Sequence, residues 1–339
     1  MIAALMVVSG LFLCNYARNK APNDAAIDGY TTNEDGLSYT ELDYSYQRVN
    51  KVTLSLSGCK VELRGGAKEA KVELIGFKPN SFIGSITGKT IKVSNQLSIL
   101  DYFSFDGSGV TFAGVWRTLK SMTGNQSEGE PSVILHIPDD QDIQQYNLTF
   151  TDCTVSIVNL KGESEYSIVS TGSTVEFNSI TSSLADLSCD DSEVTLVNAA
   201  IEHLTYALNG GSLVASKLSS KDIAFTGTDG DINLMETDFV EFTLKMEECN
   251  LTYESIYTQG SYRRDIKLKK GDIYLNKVLL GKEDVSTDDV TIPGKISIAI
   301  DNGKVVTKYG NTPLVIEEEK PETSPETSAP ATGEEETAS

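Results

Sequence analysis

One pattern of apolar and polar positions repeats through the middle of the chain about every 19 residues. Apolar residues alternate with polar ones inside each unit, as in Leu148-Thr149-Phe150, and a period of two is the signature of a β-strand. Successive units are spaced by 20, then 19 four times, then 22 residues. The three apolar columns are Leu148, Ile168, Leu187, Tyr206, Phe225, Leu244 and Ile266; Val155, Val175, Val194, Leu213, Ile232, Leu251 and Ile273; and Ile157, Phe177, Leu196, Ala215, Leu234, Tyr253 and Leu275. The pattern predicts two short strands in each repeat.

A column of small residues separates the two predicted strands. Its members are Cys153, Ser173, Ser192, Gly211, Gly230, Cys249 and Gly271. We interpret the column as a corner where only small side chains fit, with glycine tolerating positive φ and cysteine acting as a small apolar filler. Cys153 and Cys249 are five repeats apart, about 24 Å at one strand spacing per repeat, which is too far for a disulfide. We therefore expect free, buried thiols.

A unit of this length cannot bury its own apolar face, but stacked units can. Parallel crossovers are nearly always right-handed. The sequence therefore predicts an all-β protein, a right-handed parallel β-solenoid with coils of about 19–20 residues. A leucine-rich repeat would need a single strand and a recurring Asn, yet Asn159 has no counterparts. An antiparallel sandwich would not explain the fixed period.

The same apolar and small positions recur outside the central array. One copy runs from Leu54 to Leu63, with Cys59 in the small position, and another runs from Ile298 to Thr307. We therefore predict a solenoid domain over residues 45–310, with an irregular aromatic insertion at about 79–131.

The two ends of the chain differ from this domain. The apolar run at residues 1–13 is shorter than the roughly 20 residues that span a bilayer, and it lacks the basic start of a signal peptide. We interpret residues 1–20 as a partial membrane anchor or signal segment, with a lipoprotein at Cys14 and a buried helix as alternatives. Residues 21–44 are a predicted linker, and residues 317–339 a disordered acidic tail rich in Pro, Thr and Ser. The predicted location is the cell membrane, with an extracytoplasmic domain that meets the membrane only through its N-terminal segment.

Charge and motifs exclude several classes of function. The net charge of −21 repels nucleic-acid phosphates, and the chain has no CxxC pair. A polysaccharide-processing enzyme needs converging carboxylates, but Glu176 is the only carboxylate of the predicted outward column. That column is Ser156, Glu176, Thr195, Val214, Asn233, Thr252 and Tyr274. Acidic turns such as Asp190-Asp191 leave calcium binding open, although no calcium loop is present. We expect no catalytic residues, no cofactor and no metal.

Four residues are candidates for binding a partner. Tyr102, Phe105 and Trp116 lie in the predicted insertion, and Glu176 lies on the outward column. The aromatic residues fit a platform for a sugar or protein. An end cap that covers the open edge of the solenoid is the alternative, and it is the interpretation we favour.

Residues 131–280 also carry a resemblance to a known family. Pro131-Ser-Val-Ile-Leu-His-Ile-Pro138 leads into Leu148-Thr-Phe-Thr-Asp-Cys-Thr-Val-Ser-Ile-Val-Asn-Leu160. These segments resemble the bacterial putative-adhesin domain family of β-strand repeats, which occurs in membrane-anchored surface proteins of Firmicutes. The resemblance covers about residues 45–310 and brings no catalytic residues with it. The Cys and Ser residues in the small column depart from the family's usual glycine.

The resemblance implies a non-enzymatic cell-surface binding or adhesion module whose partner is an unidentified surface glycan or protein. Two alternatives stay open. The first is an extracytoplasmic sensory, regulatory or scaffolding domain that binds an envelope protein. The second is a polysaccharide-processing β-helix enzyme.

Overall fold

The computed structural model describes residues 31–32, 37–77, 82–95, 105–106, 109–110, 127–286 and 291–314. These residues form an all-β protein without an α-helix. Its strands are β1 Thr31–Thr32, β2 Ser38–Asp43, β3 Lys51–Ser57, β4 Lys60–Gly65, β5 Lys71–Phe77, β6 Ile83–Thr87, β7 Thr90–Ser94, β8 Phe105–Asp106, β9 Gly109–Val110, β10 Ser127–Ile137, β11 Gln145–Thr151, β12 Thr154–Val158, β13 Glu165–Thr171, β14 Thr174–Asn178, β15 Thr181–Val197, β16 Ala200–Ser216, β17 Ser219–Tyr257, β18 Tyr262–Leu275, β19 Val278–Gly281, β20 Glu283–Val285 and β21 Gly294–Thr312.

The central strands stack as a β-solenoid, with each coil in parallel register on the next. Leu148 of β11 pairs with Ile168 of β13, and Ile168 pairs in turn with Leu187 of β15. On the neighbouring side, Val155 of β12 pairs with Val175 of β14. Both sides follow the apolar columns read from the sequence, so the predicted repeat is confirmed. Strands β15, β16 and β17 are long because their extended backbone continues around the corners of a coil.

Each central coil also has a third side, which the two-strand prediction did not contain. Thr181 at the start of β15 pairs with Ala200 of β16, and Ala200 pairs with Ser219 of β17. Backbone hydrogen bonds also join these third-side segments to the neighbouring coil. The N–H of Ala200, for example, donates to the carbonyl of Ile180 at 2.9 Å. The coil is therefore three-sided, and its third side is short and polar.

The interior of the solenoid is filled by the inward residues of the two main sides. Tyr146 and Tyr166 stack in parallel with their ring centroids 4.7 Å apart. Further along the axis, the ring of Phe225 contacts both Tyr206 and Phe242 edge to face, at 5.7 and 5.5 Å. Burying a side chain of this size stabilises the fold by about 1.5–3 kcal/mol. Because each coil contributes one such layer, stability accumulates along the stack.

The corners depend on residues in the left-handed region of φ and ψ. At the first corner these are Asp152, Gly172 and Asp191, with φ of 53°, 59° and 47°. They directly precede the small column, whose Cys153, Ser173 and Ser192 are buried and point inward. The glycines of the small column, Gly211, Gly230 and Gly271, do have positive φ, as the sequence predicted. In the coils with Cys153, Ser173 and Ser192 the positive φ lies one residue earlier, because the turn comes before the side chain that fills the corner.

A second corner follows the second side of each coil. Its left-handed residues recur every 19 or 20 positions, and they are Asn159, Ser179, Asn198, Lys217 and Glu236, with φ between 51° and 58°. The N–H of each of the first four donates to a carbonyl of the next coil, as Ser179 does to Val197 at 2.9 Å. The expectation that Asn159 has no counterpart is wrong, because Asn198 occupies the same corner, although the other coils carry Ser, Lys or Glu there.

Coil order departs from chain order at both ends. Strand β21 lies between β17 and β18, because Ile298 pairs with Leu244 on one side and with Ile266 on the other. At the opposite end, β4 lies between β12 and β10, and Val61 pairs with Val155 and Val133. The sequence pattern placed β18 next to β17 and ended the array with β21. Inward periodicity shows which residues face the core, but it does not show which coils are neighbours.

Part of the predicted insertion at 79–131 belongs to the sheet. Strands β6 and β7 form an antiparallel hairpin, and β7 extends the stack by pairing in parallel with β3. Strand β10 starts at Ser127 and pairs with both β4 and β5. The residues between Asn95 and Ser127 are described only as the two-residue strands β8 and β9, which pair with each other.

Candidate functional site

An open groove of about 630 Å³ runs along the third side of the central coils. Four consecutive coils contribute short segments to it, namely residues 162–163, 181–183, 200–202 and 219–221. These segments are rungs stacked at the spacing of parallel strands, about 4.8 Å. We call this surface the third-side groove.

Hydroxyl groups dominate the groove and tie its coils together. The N–H of Gly162 donates to Oγ1 of Thr181 at 2.8 Å. Ser183 Oγ donates to the carbonyl of Glu163 at 3.0 Å, and Ser220 Oγ donates to the carbonyl of Glu202 at 3.2 Å. The hydroxyl groups are held in place by these bonds, and each keeps acceptor capacity for a ligand.

Charged side chains form one edge of the groove. Lys221 Nζ lies 3.8 Å from Glu202 Oε1. Just outside the groove, His203 Nδ1 lies 2.9 Å from Asp222 Oδ2, and its Nε2 lies 3.6 Å from Glu202 Oε1. All four side chains are about half exposed. Exposed ion pairs of this kind add little stability, so these side chains can exchange partners with a ligand.

The structure describes the surroundings of only one of the four predicted binding residues, Glu176. Glu176 is exposed in β14, between Ser156 and Thr195 in the parallel register, on a different side of the coil from the groove. Phe105 is the first residue of the short strand β8. Tyr102 and Trp116 fall outside the described residues. The aromatic platform therefore stays a prediction.

The sequence reading missed the third-side groove. A signal was present, because Thr181-Ser182-Ser183 and Ser219-Ser220-Lys221 lie 38 residues apart, at twice the period of the repeat. These segments lack the alternation that marks a longer strand, so the apolar pattern did not single them out. Within the described parts of the chain, no group of three or more His, Cys, Asp or Glu residues could hold a metal ion.

The predicted small column forms a row along one corner, and Cys59 extends it. Cys59 Sγ lies 3.9 Å from Cys153 Sγ. The hydrogen bond between the two thiols lowers the pKa of Cys153 and raises that of Cys59, since only one of them can accept it. Cys59, Cys153, Cys189 and Cys249 are free and buried, so the prediction of buried thiols is confirmed for these four.

Several solved structures show a partial structural likeness to this chain. A putative adhesin from Bacteroides fragilis NCTC 9343 has 11% identity and a TM-score of 0.47, and the match covers 82% of this chain and all of that one. A putative adhesin from Parabacteroides merdae ATCC 43184 has 11% identity and a TM-score of 0.43, covering 82% and 96%. A putative lipid binding protein from Parabacteroides distasonis ATCC 8503 has 9% identity and a TM-score of 0.43, covering 82% and 97%. No curated protein matches the chain.

The stacked coils and their corner columns define the class of an all-β, β-solenoid-like repeat protein. The chain belongs to the Toastrack DUF4097 family, whose sequence pattern matches residues 41–307. This match confirms the resemblance to a domain family of β-strand repeats that the sequence indicated over about residues 45–310. Where the chain is described, no helix is long and apolar enough to cross a membrane.

Proposed function

We propose that the protein is a non-enzymatic surface-binding module that holds an extended, uncharged glycan chain in the third-side groove. The observation that carries the proposal is the repetition of hydroxyl-bearing rungs along one open channel. A polysaccharide also repeats along its length and presents hydroxyl groups. It can therefore meet successive rungs with the same hydrogen bonds.

Electrostatics favour an uncharged ligand. Residues 131–260 contain 21 Asp and Glu residues against four Lys and Arg residues. Such a surface repels polyanions, which include nucleic acids and acidic polysaccharides. Glu163 and Glu202 on the groove itself favour neutral or amine-bearing sugars.

The composition of the groove sets the expected strength of binding. No aromatic ring lines it, so contacts consist of hydrogen bonds, each contributing a net 0.5–1.5 kcal/mol, about the same as in folding. A few such bonds give a dissociation constant on the order of 1 mM for one copy. Many copies on one cell surface would bind much more tightly through multivalency.

We extend the proposal to the location of the protein, the two ends of the chain and the handedness of the coils. A protein that binds surface glycans belongs outside the cytoplasm, held by residues 1–20 as an anchor and by residues 21–44 as a linker. The acidic segment at 317–339 would extend from the far side as a solvated tail. The coils are proposed to be right-handed, since parallel crossovers nearly always are.

Binding of the full chain to a panel of glycans tests the proposal. The panel contains N-acetylglucosamine oligomers, peptidoglycan fragments and hyaluronan. Ser219→Tyr places a ring in the groove, and Thr205→Tyr is the matched control, because Thr205 is exposed outside the groove. We expect saturable binding of an uncharged glycan that Ser219→Tyr weakens at least about tenfold and Thr205→Tyr leaves unchanged. Equal binding by both variants, or capture of an envelope protein without any glycan binding, would contradict the proposal.

A further inference from the structure

One end of the solenoid is closed by short antiparallel strands. Beyond β18, strand β19 pairs antiparallel with residues 273–275, and β20 pairs antiparallel with residues 265–267. The β18–β19 connection is a two-residue turn in which Asn276 and Lys277 have φ of 47° and 72°. Two positive φ values suit the right-handed twist of a hairpin. Among the described strands none pairs with the outer edge of β19, which is therefore the end of the stack.

This end exposes a run of large apolar side chains. Val278, Leu279 and Leu280 are 62%, 56% and 40% exposed, and Val285 of β20 is 57% exposed. A strand with one solvated face would expose alternate residues, whereas β19 exposes three apolar residues in succession. Contiguous exposed apolar surface with a polar rim marks an interaction site.

The rim of this run is basic, in contrast to the rest of the molecule. Residues 262–286 contain seven Lys and Arg residues against four Asp and Glu residues. Lys277 and Lys282 directly flank the apolar run. Lys267 and Lys269 are paired with carboxylates at 2.9 and 2.7 Å.

Three lysines of this end have no carboxylate partner among the described residues, in contrast to Lys267 and Lys269. They are Lys270, Lys277 and Lys282. Lys282 Nζ lies 3.5 Å from the carbonyl of Lys269, which holds it beside β18. Lys277 and Lys282 lie on either side of exposed Val278, Leu279 and Leu280 in the chain. We call this surface, residues 267–285, the basic end.

We propose that the basic end docks on the surface of a bilayer that contains anionic phospholipids. Val278, Leu279 and Leu280 would enter the interface between headgroups and acyl chains, and the flanking lysines would pair with lipid phosphates. The lysines match the layer of anionic headgroups, and the apolar side chains between them match the acyl-chain layer beneath it. The central coils, with their large excess of carboxylates, are repelled by the same surface. The solenoid would therefore stand on its end.

Other occupants fit this surface less well. A second copy pairing edge to edge along β19 would bring Lys277 and Lys282 of each chain against those of the other. A soluble polyanion would satisfy the lysines but leave the apolar run in water. Strand β2, which follows the N-terminal region, pairs with β5 and so lies at the opposite end of the stack, beyond β10 and β4. If the chain is anchored at its N-terminus, the bilayer that meets the basic end is therefore a different one from the membrane that holds the anchor.

Vesicle co-sedimentation of the full chain tests this proposal. The probes are vesicles of phosphatidylcholine alone and vesicles with about one-third phosphatidylglycerol. We expect binding to the anionic vesicles that weakens with salt. Lys277→Glu combined with Lys282→Glu should weaken it at least about tenfold, and Leu279→Asp should do the same. Lys245→Glu and Val169→Asp are the controls, since both residues are exposed on the central coils, and these variants should bind like the original chain.

Far-ultraviolet circular dichroism establishes that each variant is folded, and the lysine variant decides the question if Leu279→Asp is not. Absence of binding to anionic vesicles by the original chain would overturn the proposal. So would equal binding by the lysine variant. Binding to soluble polyphosphate that Leu279→Asp leaves unchanged, without binding to vesicles, would assign the basic end to a polyanion instead. Glycan binding by the third-side groove is independent of all these outcomes.

Discussion

The sulfur atoms of Cys59 and Cys153 lie 3.9 Å apart, although 94 positions separate the two residues in the chain. They meet because β4 stacks directly on β12, with Val61 beside Val155. The early coil of the chain is therefore built into the central array, and the two thiols occupy the same corner in adjacent coils.

Mild oxidation should join these two thiols. With oxidised glutathione as the oxidant, each sulfur loses a proton, and the pair transfers two electrons to the glutathione disulfide. The sulfur atoms must approach to about 2.05 Å, and residues in register on adjacent strands allow this. Closing a loop of this length should stabilise the fold by up to about 4 kcal/mol. Mass spectrometry should find one Cys59–Cys153 cross-link, with Cys189 and Cys249 still free. A cross-link that includes Cys249 would contradict the coil order.

Loss of a buried ion pair should lower the free energy of unfolding more than loss of an exposed one. Arg264 Nε lies 2.9 Å from Asp284 Oδ2, and their side chains are only 11% and 12% exposed. Asp284→Ala leaves a guanidinium buried without its carboxylate, which should lower the free energy of unfolding by about 3 kcal/mol. Asp265→Ala removes the exposed partner of Lys267 and should leave the free energy of unfolding nearly unchanged. Urea unfolding of both variants measures the difference, and equal losses would contradict the burial of Arg264.

Pairs of engineered cysteines should report the order of the last three coils. Thr243 pairs with Ser297, and Ser297 pairs with Asp265, so Thr243 and Asp265 are two coils apart. Thr243→Cys with Ser297→Cys should form a disulfide, and so should Ser297→Cys with Asp265→Cys. Thr243→Cys with Asp265→Cys should not, and this pair is the control. Peptide mapping after oxidation identifies each bond. Cross-linking of the control pair, together with no bond between Thr243→Cys and Ser297→Cys, would mean that the coils follow chain order.

Alkaline pH should unfold the protein through its buried tyrosines. Burial raises the pKa of Tyr146, Tyr166 and Tyr206 in the folded state. The folded state therefore holds these protons more tightly than the unfolded state. Their contribution is complete below the unfolded pKa, about 10, and is lost as pH rises toward the folded values.

The variant Tyr166→Phe separates this effect from packing. The Tyr166 hydroxyl is buried without a hydrogen-bond partner among the described residues, so its removal should cost nothing at neutral pH. Circular dichroism against pH should show the variant unfolding at a higher pH than the original chain. A loss of stability at pH 7 would mean that the hydroxyl has a partner.

The core of the solenoid could be predicted from the sequence because burial there follows a strict period. Leu148, Ile168 and Leu187 are stacked as their spacing required. The insertion of β21 between β17 and β18 could not be predicted, because Val305 offers the same apolar side chain to either neighbour. Non-local pairing of this kind leaves no periodic signal in the chain.

The candidate site was less accessible to sequence reasoning than the fold. Thr181 and Ser219 look like ordinary turn residues, and their common alignment becomes visible only when the third side of the coil is known. The basic end was hidden for a similar reason. Two isolated lysines such as Lys277 and Lys282 do not indicate a binding surface in a sequence. They indicate one only once β19 is seen to lie at the end of the stack.

The dependence of affinity on ligand length tests the central claim most directly. Isothermal titration calorimetry would compare N-acetylglucosamine oligomers of increasing length on the original chain and on Ser219→Tyr. Because the third-side groove consists of rungs one coil apart, affinity should rise with each added sugar until the ligand spans residues 162–221, and then level off. Ser219→Tyr should end the rise earlier. Affinity that is independent of length, or a length dependence that Ser219→Tyr leaves unchanged, would contradict binding along the groove.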